Sequence, residues 1–281
     1  MTLPAYRLVL TGASGGLGWA MAQALAEQCE AMVLVGRDAD KLGAMESYLS
    51  AQHPALGLSI VIGDLTEAST RDRVFAAAEA LPGGVNLLIN NAGISDFHEF
   101  ASQSDGAIER QLSVNLMAPV LLTLRLLPLF DGTPRAQIIN IGSIFGYLGY
   151  PGFAAYCASK FGLRGFSQAL RRELSDTGIK VRYFAPRAIG TALNSPALKA
   201  MNSELGNRED SPQRVAVMLQ QFLATDAWEC KLGFPERLYV FLNQFMPHIN
   251  DGAIRAQLKI IRKYLPVATR PRKINQKGVA S

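Results

Sequence analysis

The stretch that decides the fold is Tyr6-Arg7-Leu8-Val9-Leu10-Thr11-Gly12-Ala13-Ser14-Gly15-Gly16-Leu17-Gly18-Trp19-Ala20. Its first half is a short apolar run, as expected of a strand covered on both faces. Its second half opens a helix through Gly12, Gly16 and Gly18. Missing side chains there let the backbone turn tightly and approach a pyrophosphate at the helix N-terminus. An ordinary βα turn has the same look, so the weight falls on what surrounds it.

Outward from this turn, the front two thirds alternates β-branched runs with longer helical patterns, the signature of a parallel sheet built from βαβ units. Strands are predicted at Tyr6 to Thr11, Met32 to Val35, Ser59 to Ile62, Val85 to Ile89, Gln137 to Ile141 and Lys180 to Phe184. Helices are predicted near 16–28, 38–51, 67–80, 104–127 and 154–176. After Phe184 the pattern is helical, through roughly 193–205, 211–224, 235–246 and 251–264, with a short strand squeezed into Glu229 to Leu232. The expected fold is α/β, a Rossmann-like doubly wound parallel sheet in a single catalytic domain over 1–233. A helical C-terminal extension over 234–265 and a mobile basic tail over 266–281 follow.

The 281 residues, 49% of them hydrophobic, suffice for one sizeable core. No charged n-region and apolar h-region open the chain, so export by a cleaved signal is not expected. The most apolar helical stretch, Met117 to Phe130, is broken by Arg125 and Pro128 and falls short of the roughly 18 uninterrupted apolar residues of a membrane span. It reads as a buried or interface helix. Cys29, Cys157 and Cys230 are odd in number and match no metal-ligand pattern, which suits a reduced, cytoplasmic protein without a metal site. His53, His98 and His248 are equally scattered; His98 alone follows a candidate site turn, and a surface loop position is its plainer reading.

The chemistry is carried by Tyr156 and Lys160, four positions apart, with Ser143 thirteen residues before the tyrosine. Hydride transfer to a ketone creates an alkoxide that must be protonated in step, so an acid near its working pKa is needed beside the carbonyl oxygen. A tyrosine starts near 10, and reaching about 7 takes about 4 kcal/mol of preferential phenolate stabilisation. A lysine one helical turn away supplies much of this, because residues i and i+4 share a face and a cation favours the ionised phenol. Tyr156 is thus the candidate general acid/base.

Together, the segments Thr11-Gly12-x-x-x-Gly16-x-Gly18, Asn90-Asn91-Ala92-Gly93, Asn115, Ser143 and Tyr156-x-x-x-Lys160 resemble, in order and spacing, the classical short-chain dehydrogenase/reductase family over about residues 5–195. The resemblance implies an oxidoreductase moving hydride between a nicotinamide dinucleotide and a carbonyl/alcohol pair, assembled as a homodimer or homotetramer. It implies that Gly12, Ser14, Gly16, Leu17 and Gly18 cradle the cofactor. Asp64, followed by Leu65, would hydrogen-bond the adenine, and Asn91, Ala92 and Gly93 would pack on the adenosine ribose. Ser143 would hydrogen-bond the substrate oxygen, Lys160 would reach the nicotinamide ribose, and Asn115 would hold a relay water. Pro186, Ile189 and Thr191 would flank the nicotinamide. At the end of the second strand, an arginine favours a 2′-phosphate and a carboxylate favours a free 2′-hydroxyl. Arg37 in that place predicts NADP(H), while a slip of one residue would put Asp38 there and predict NAD(H).

One departure stands out: where the family usually reads Pro-Gly-x-Ile-x-Thr, this chain has Pro186-Arg187-Ala188-Ile189-Gly190-Thr191. Arg187 is expected to point to solvent, the alternative being a contact with an anionic group of cofactor or substrate. Ile94, Phe97, Phe145, Tyr147, Leu148, Ala192 and Leu193 are placed to flank the site and predict an apolar carbonyl or alcohol substrate. The tail differs from the rest in charge. Residues 251–281 carry +7 of a whole-chain +5, leaving 1–250 at −2. Ile254, Leu258, Ile261 and Leu265 recur at helical spacing beside Arg255, Lys259, Arg262 and Lys263, a basic amphipathic helix. A lid over the pocket, a subunit interface and peripheral membrane contact remain open for it. Without a recognised motif beside the charge, no nucleic-acid partner is expected. The competing overall readings are a non-catalytic dinucleotide-binding sensor and a membrane-associated interaction protein.

Overall fold

The computed structural model describes residues 6–191 and 194–266. Seven strands form one sheet in the order β3-β2-β1-β4-β5-β6-β7, all neighbours parallel. They are β1 (Tyr6–Thr11), β2 (Cys29–Gly36), β3 (Gly57–Ile62), β4 (Leu87–Asn90), β5 (Gln137–Ile141), β6 (Lys180–Ala185) and β7 (Glu229–Lys231). The helices are α1 (Gly16–Leu25), α2 (Ala39–Gln52), α3 (Ala68–Glu79), α4 (Asp105–Leu112), α5 (Ala118–Leu126), α6 (Ala154–Glu173), α7 (Pro196–Glu204), α8 (Pro212–Leu223), α9 (Phe234–Phe245) and α10 (Pro247–Tyr264). The doubly wound α/β fold is therefore as expected. The strand order reverses between β1 and β4, which opens a crevice at the carboxyl ends of those strands.

Central strands are apolar on both faces because both faces are covered. Leu8, Leu10, Met32 and Leu34 meet Met21, Met45, Leu219 and Phe222 of α1, α2 and α8. Val9, Val33, Leu88 and Ile138 meet Val74, Leu122, Leu126 and Leu170 of α3, α5 and α6. The helical run Asp105–Phe130 is long and apolar enough to cross a membrane. Here Leu122, Leu126 and Phe130 are spent against the sheet, so it serves as a layer of the fold.

Several boundaries depart from the sequence reading, and three of the departures have a physical reason in the structure. β2 starts at Cys29, because Cys29 already pairs with Tyr6 at the foot of β1. α10 starts at Pro247 rather than 251, proline fitting the first turn where its missing N–H has no helical partner. The helix expected over 104–127 is divided by a π turn, Ser113–Met117, between α4 and α5. Such a widened turn re-aims one side chain, and here Asn115 becomes fully buried.

α10 runs back over the carboxyl ends of the strands. Its Ile261 is fully buried in a separate cluster with Phe97, Phe153, Cys157, Leu198 and Met201, and Tyr264 and Leu265 pack against it. The apolar face of this basic helix is thus turned inward. Residues 267–281, on which most of the expected mobile tail falls, lie outside the described residues, as do Ala192 and Leu193.

Candidate active site

The turn between β1 and α1 brings backbone to the crevice at its glycines, with Ser14 and Leu17 lining the cavity beside them. Gly12 has φ +66°, and a Cβ there would lie 2.8 Å from the Ala92 Cα; one on Gly18 would lie 2.2 Å from the Gly12 carbonyl oxygen. Asn91 ties the turn down, its Nδ2 donating to the Thr11 and Gly12 carbonyls at 3.0 and 3.2 Å. Thr11 Oγ1 accepts from the Asn91 and Ala92 amides at 2.9 and 3.0 Å. The Asn91 side chain therefore braces the loop, and Asn91, Ala92 and Gly93 all line the cavity. α1 begins at Gly16, with Gly15 as its cap residue, no side-chain cap and no acid in its first turn, so its leading N–H groups can serve an anion. This cradle fits a dinucleotide pyrophosphate, and the cavity it opens into, about 960 Å³, extends to Asp64, Arg37 and Lys41 at one end and Tyr156 at the other.

At the adenosine end, β2 closes at Gly36, so Arg37 is the first residue past the strand, and it is exposed. Asp38 is committed elsewhere. It caps α2, accepting from the Lys41 amide at 3.0 Å and pairing with the Lys41 ammonium at 2.7 Å. Asp64 accepts from the Thr66 amide and hydroxyl at 2.9 and 2.8 Å. Burial works against its charged form, but these bonds, with Arg37 and Arg110 nearby, hold the carboxyl below its ordinary range. Leu65 beside it is buried and lines the cavity.

Ser143 follows β5, and Tyr156 and Lys160 share one face of α6. The Lys160 ammonium lies 5.8 Å from the centre of the Tyr156 ring and donates to the Ile141 carbonyl at 3.0 Å. Ser143 Oγ accepts from the Phe145 amide at 3.1 Å and is hydrogen-bonded to the Tyr156 phenol. Asn115, re-aimed by the π turn, holds both backbone groups of Ile94, accepting from its amide at 2.8 Å and donating to its carbonyl at 2.9 Å, and also reaches Ser159. It pins the loop after Asn91 and makes no direct bond to Lys160. Beneath the site runs a buried polar chain absent from the sequence reading: Asn90 donates to Thr123 and Asn140, and Asn140 donates to Ser167.

Lys160 and an oxidised nicotinamide were together expected to lower the Tyr156 pKa; among the protein's own groups burial acts the other way. Burial pushes the phenol up to about 12, against the lowering effect of Ser143. Burial also brings Lys160 down to about 8. Desolvation penalises both charged forms. An acid of this kind keeps its proton until charge develops beside it, which suits donation to a forming alkoxide.

Arg187 departs from the expectation of a solvent-facing side chain: at the cavity wall it pairs with carboxylates of this chain. Its Nε and Nη2 donate to Asp210 Oδ2 and Oδ1 at 2.8 and 2.9 Å, and Nη1 reaches Glu236 of α9 at 3.5 Å. The backbone repeats the link, Gly190 donating to Asp210 and Asp210 to Ala188 at 3.0 and 2.9 Å. Pro186, Ile189 and Thr191 are thereby held at the cavity wall, Thr191 beside Gly16.

Of the residues expected around a substrate, Ile94, Phe145 and Leu148 line the cavity. Tyr147 does not: its hydroxyl donates to Glu229 at 2.8 Å and its ring packs against Tyr183. Phe97 sits behind the wall against Phe153, 5.1 Å between ring centres. His98 is half-buried in its loop, held by a backbone bond to Gly152. The sequence reading missed Tyr150 and Phe153, and from the extension Tyr239, Ala253, Ile254 and Gln257, all of which line the cavity. Tyr150 donates to Gln257 at 2.9 Å, joining the wall to α10. Helical periodicity marked Ile254 as apolar; no local signal says what a helix a hundred residues away will cover.

The family model of the short chain dehydrogenases matches residues 7–202. Nodulation protein G of Rhizobium sp. is 36% identical over 190 residues, 66% of this chain and 74% of that protein. The ketoacyl reductase HetN of Nostoc sp. is 32% identical over 210 residues, 72% of each. A solved short chain dehydrogenase from Burkholderia cenocepacia, in complex with NADP, superposes with a TM-score of 0.75 at 20% identity, over 90% of this chain and 99% of that one. Sequence match, parallel sheet and glycine turn agree on one conclusion: the chain belongs to the short-chain dehydrogenase/reductase family and is an oxidoreductase with an NAD(P)-binding Rossmann fold.

Proposed function

We propose that this enzyme is an NADP(H)-dependent oxidoreductase acting on an apolar ketone or aldehyde and the matching alcohol, with Tyr156 as general acid/base. The observation that carries the reaction is the cluster of Ser143, Tyr156 and Lys160 at one end of the cavity, opposite the phosphate cradle. A bound nicotinamide supplies or accepts the hydride. The chain's own residues do the rest: Ser143 and the Tyr156 hydroxyl hold the carbonyl oxygen, and Tyr156 gives it a proton as negative charge develops. Lys160, one turn along, favours the transient phenolate.

The NADP(H) preference rests on Arg37 and Lys41 lining the adenosine end while Asp38 is engaged as a helix cap. The apolar substrate rests on Phe145, Leu148, Phe153, Leu198, Met201 and Ile254 around the reactive end. A sensor without turnover has no use for a buried acid tethered to a serine, so catalysis is the better reading of this geometry. The free thiols Cys29, Cys157 and Cys230 suit the reducing cytoplasm in which we place it. The test is a screen of primary and secondary alcohols and their carbonyl partners, by increasing chain length, with both cofactors. Faster turnover with longer chains and with NADP(H) is expected; preference for short polar carbonyls would overturn the substrate assignment.

A further inference from the structure

α9 leaves an apolar stripe uncovered. Phe234, Leu238, Phe241 and Phe245 recur at spacings of three and four, which puts them on one helix face, and they are between 49 and 82% exposed. The Phe241 and Phe245 rings lie 5.1 Å apart, and exposed Met246 and Ile249 continue the run along the chain. The helix itself is seated: Val240, on its other side, is buried, and Tyr239 lines the cavity. Contiguous exposed apolar surface of this kind marks an interaction site.

Charge selects the occupant. Arg237 flanks the stripe, and Arg255, Lys259 and Arg262 are exposed on α10, whose one ion pair among the described residues is Lys263 to Glu204 at 2.6 Å. The segment 251–281 as a whole carries +7. A second copy would bring two such segments together and repel, whereas an anionic lipid surface attracts them. The basic helix α10 cannot itself lie on a membrane by its apolar stripe, because Ile254 and Ile261 are turned into the cavity wall and the cluster behind it. The adjoining helix provides the missing apolar face.

We propose that α9 docks this enzyme peripherally on an anionic bilayer, with Phe234, Leu238, Phe241 and Phe245 entering the headgroup–acyl boundary and Arg237, Arg255, Lys259 and Arg262 meeting lipid phosphates. Because α9 also supplies cavity wall, an apolar carbonyl dissolved in the bilayer is delivered beside the pocket, a consequence that rests on the substrate reading above.

The test is co-sedimentation of the full chain with vesicles of mixed phosphatidylcholine and phosphatidylglycerol, against vesicles of phosphatidylcholine alone. Binding to the anionic vesicles is expected, and it should fall when salt is raised from about 0.1 M to about 1 M, which shortens the Debye length from about 10 Å to about 3 Å. The double variant Phe241→Ser/Phe245→Ser, altered only at exposed positions, should weaken binding by at least about tenfold while soluble turnover is unchanged. Charge reversal by Arg255→Glu/Lys259→Glu should weaken it on anionic vesicles alone. Failure of the full chain to bind, or equal binding by the phenylalanine variant, would overturn the proposal. So would self-association without lipid binding that the phenylalanine variant disperses, which would assign the stripe to a second copy. Vesicle binding needs no turnover, so docking and the substrate assignment fail or stand separately.

Discussion

Arg187 grips Asp210 through two parallel hydrogen bonds, at 2.8 and 2.9 Å, where the family ordinarily has a glycine. The pair ties the loop after β6 to the start of α8, and Glu236 draws α9 into the same knot. What looked like an intrusive side chain is the fastening between the cofactor loop and the C-terminal extension.

Removing the fastening should cost both stability and cofactor affinity. Arg187→Ala leaves the buried Asp210 carboxylate only the exposed Arg214, at 3.6 Å, as an ion-pair partner, and should destabilise the fold by about 3 kcal/mol, with a weaker dinucleotide Kd, while Asp210→Ala in the same background recovers part of the stability. Arg187 holds the Asp210 pKa below its ordinary value. A depressed carboxylate contributes stability above its unfolded pKa of about 3.9 and loses it as pH falls through the native value. The wild-type advantage over Arg187→Ala in chemical denaturation should be flat near neutrality and shrink in acid. An advantage that grew in acid would contradict the pairing.

Tyr156→Phe removes the proton donor and leaves the ring packed against Phe145 and Phe153. Turnover should fall at least about 100-fold with dinucleotide affinity nearly intact. Retention of more than about a tenth of wild-type turnover refutes the acid/base role.

Lys160 is a functional group held at a stability cost. Burial lowers its pKa from 10.5 to about 8, so between those values the unfolded chain binds more protons and stability rises with pH. Lys160→Met should therefore abolish turnover yet stabilise the fold by on the order of 2 kcal/mol below about pH 8, less the lost bond to Ile141. That gain should fade as pH climbs toward 10.5. Thermal melts across this range decide it, and destabilisation throughout would show that burial is not the dominant influence on the amine.

Arg37→Asp puts a carboxylate where a 2′-phosphate partner is proposed. NADPH binding should weaken by about tenfold or more while NADH use improves, since a charge-assisted bond becomes a repulsion. Fluorescence titration with both cofactors reads the switch; an unchanged preference moves the determinant away from Arg37.

Cutting the chain after Asn250 removes Ile254, Gln257 and Ile261 from the cavity wall and the cluster behind it. The Michaelis constant for long substrates should rise, stability should drop, and cofactor affinity should hold. Ile261→Ala alone should cost about 2–4 kcal/mol if the helix is packed as described. A truncation with wild-type melting and kinetics would leave α10 without a role in the pocket.

The sheet, the glycine turn and the Ser143, Tyr156, Lys160 set were legible in the sequence because their determinants are local. Buried strands are written as continuous apolar runs and helices as recurrences every three or four residues, and Tyr156 and Lys160 meet because one helical turn separates them. The proposed weight of Arg37 over Asp38 turns on a strand end and a cap, a matter of one residue. What tertiary structure decided lies between residues far apart in the chain. Arg187 meets Asp210 and Glu236, Tyr150 meets Gln257, and burial raises the phenol that proximity to lysine was expected to lower. The apolar periodicity of α10 was visible in the sequence, and that helix spends it on the pocket, whereas α9 leaves a similar stripe in solvent. Amphipathicity says that a face exists; which neighbour covers it is set by packing around the sheet, which no local pattern records.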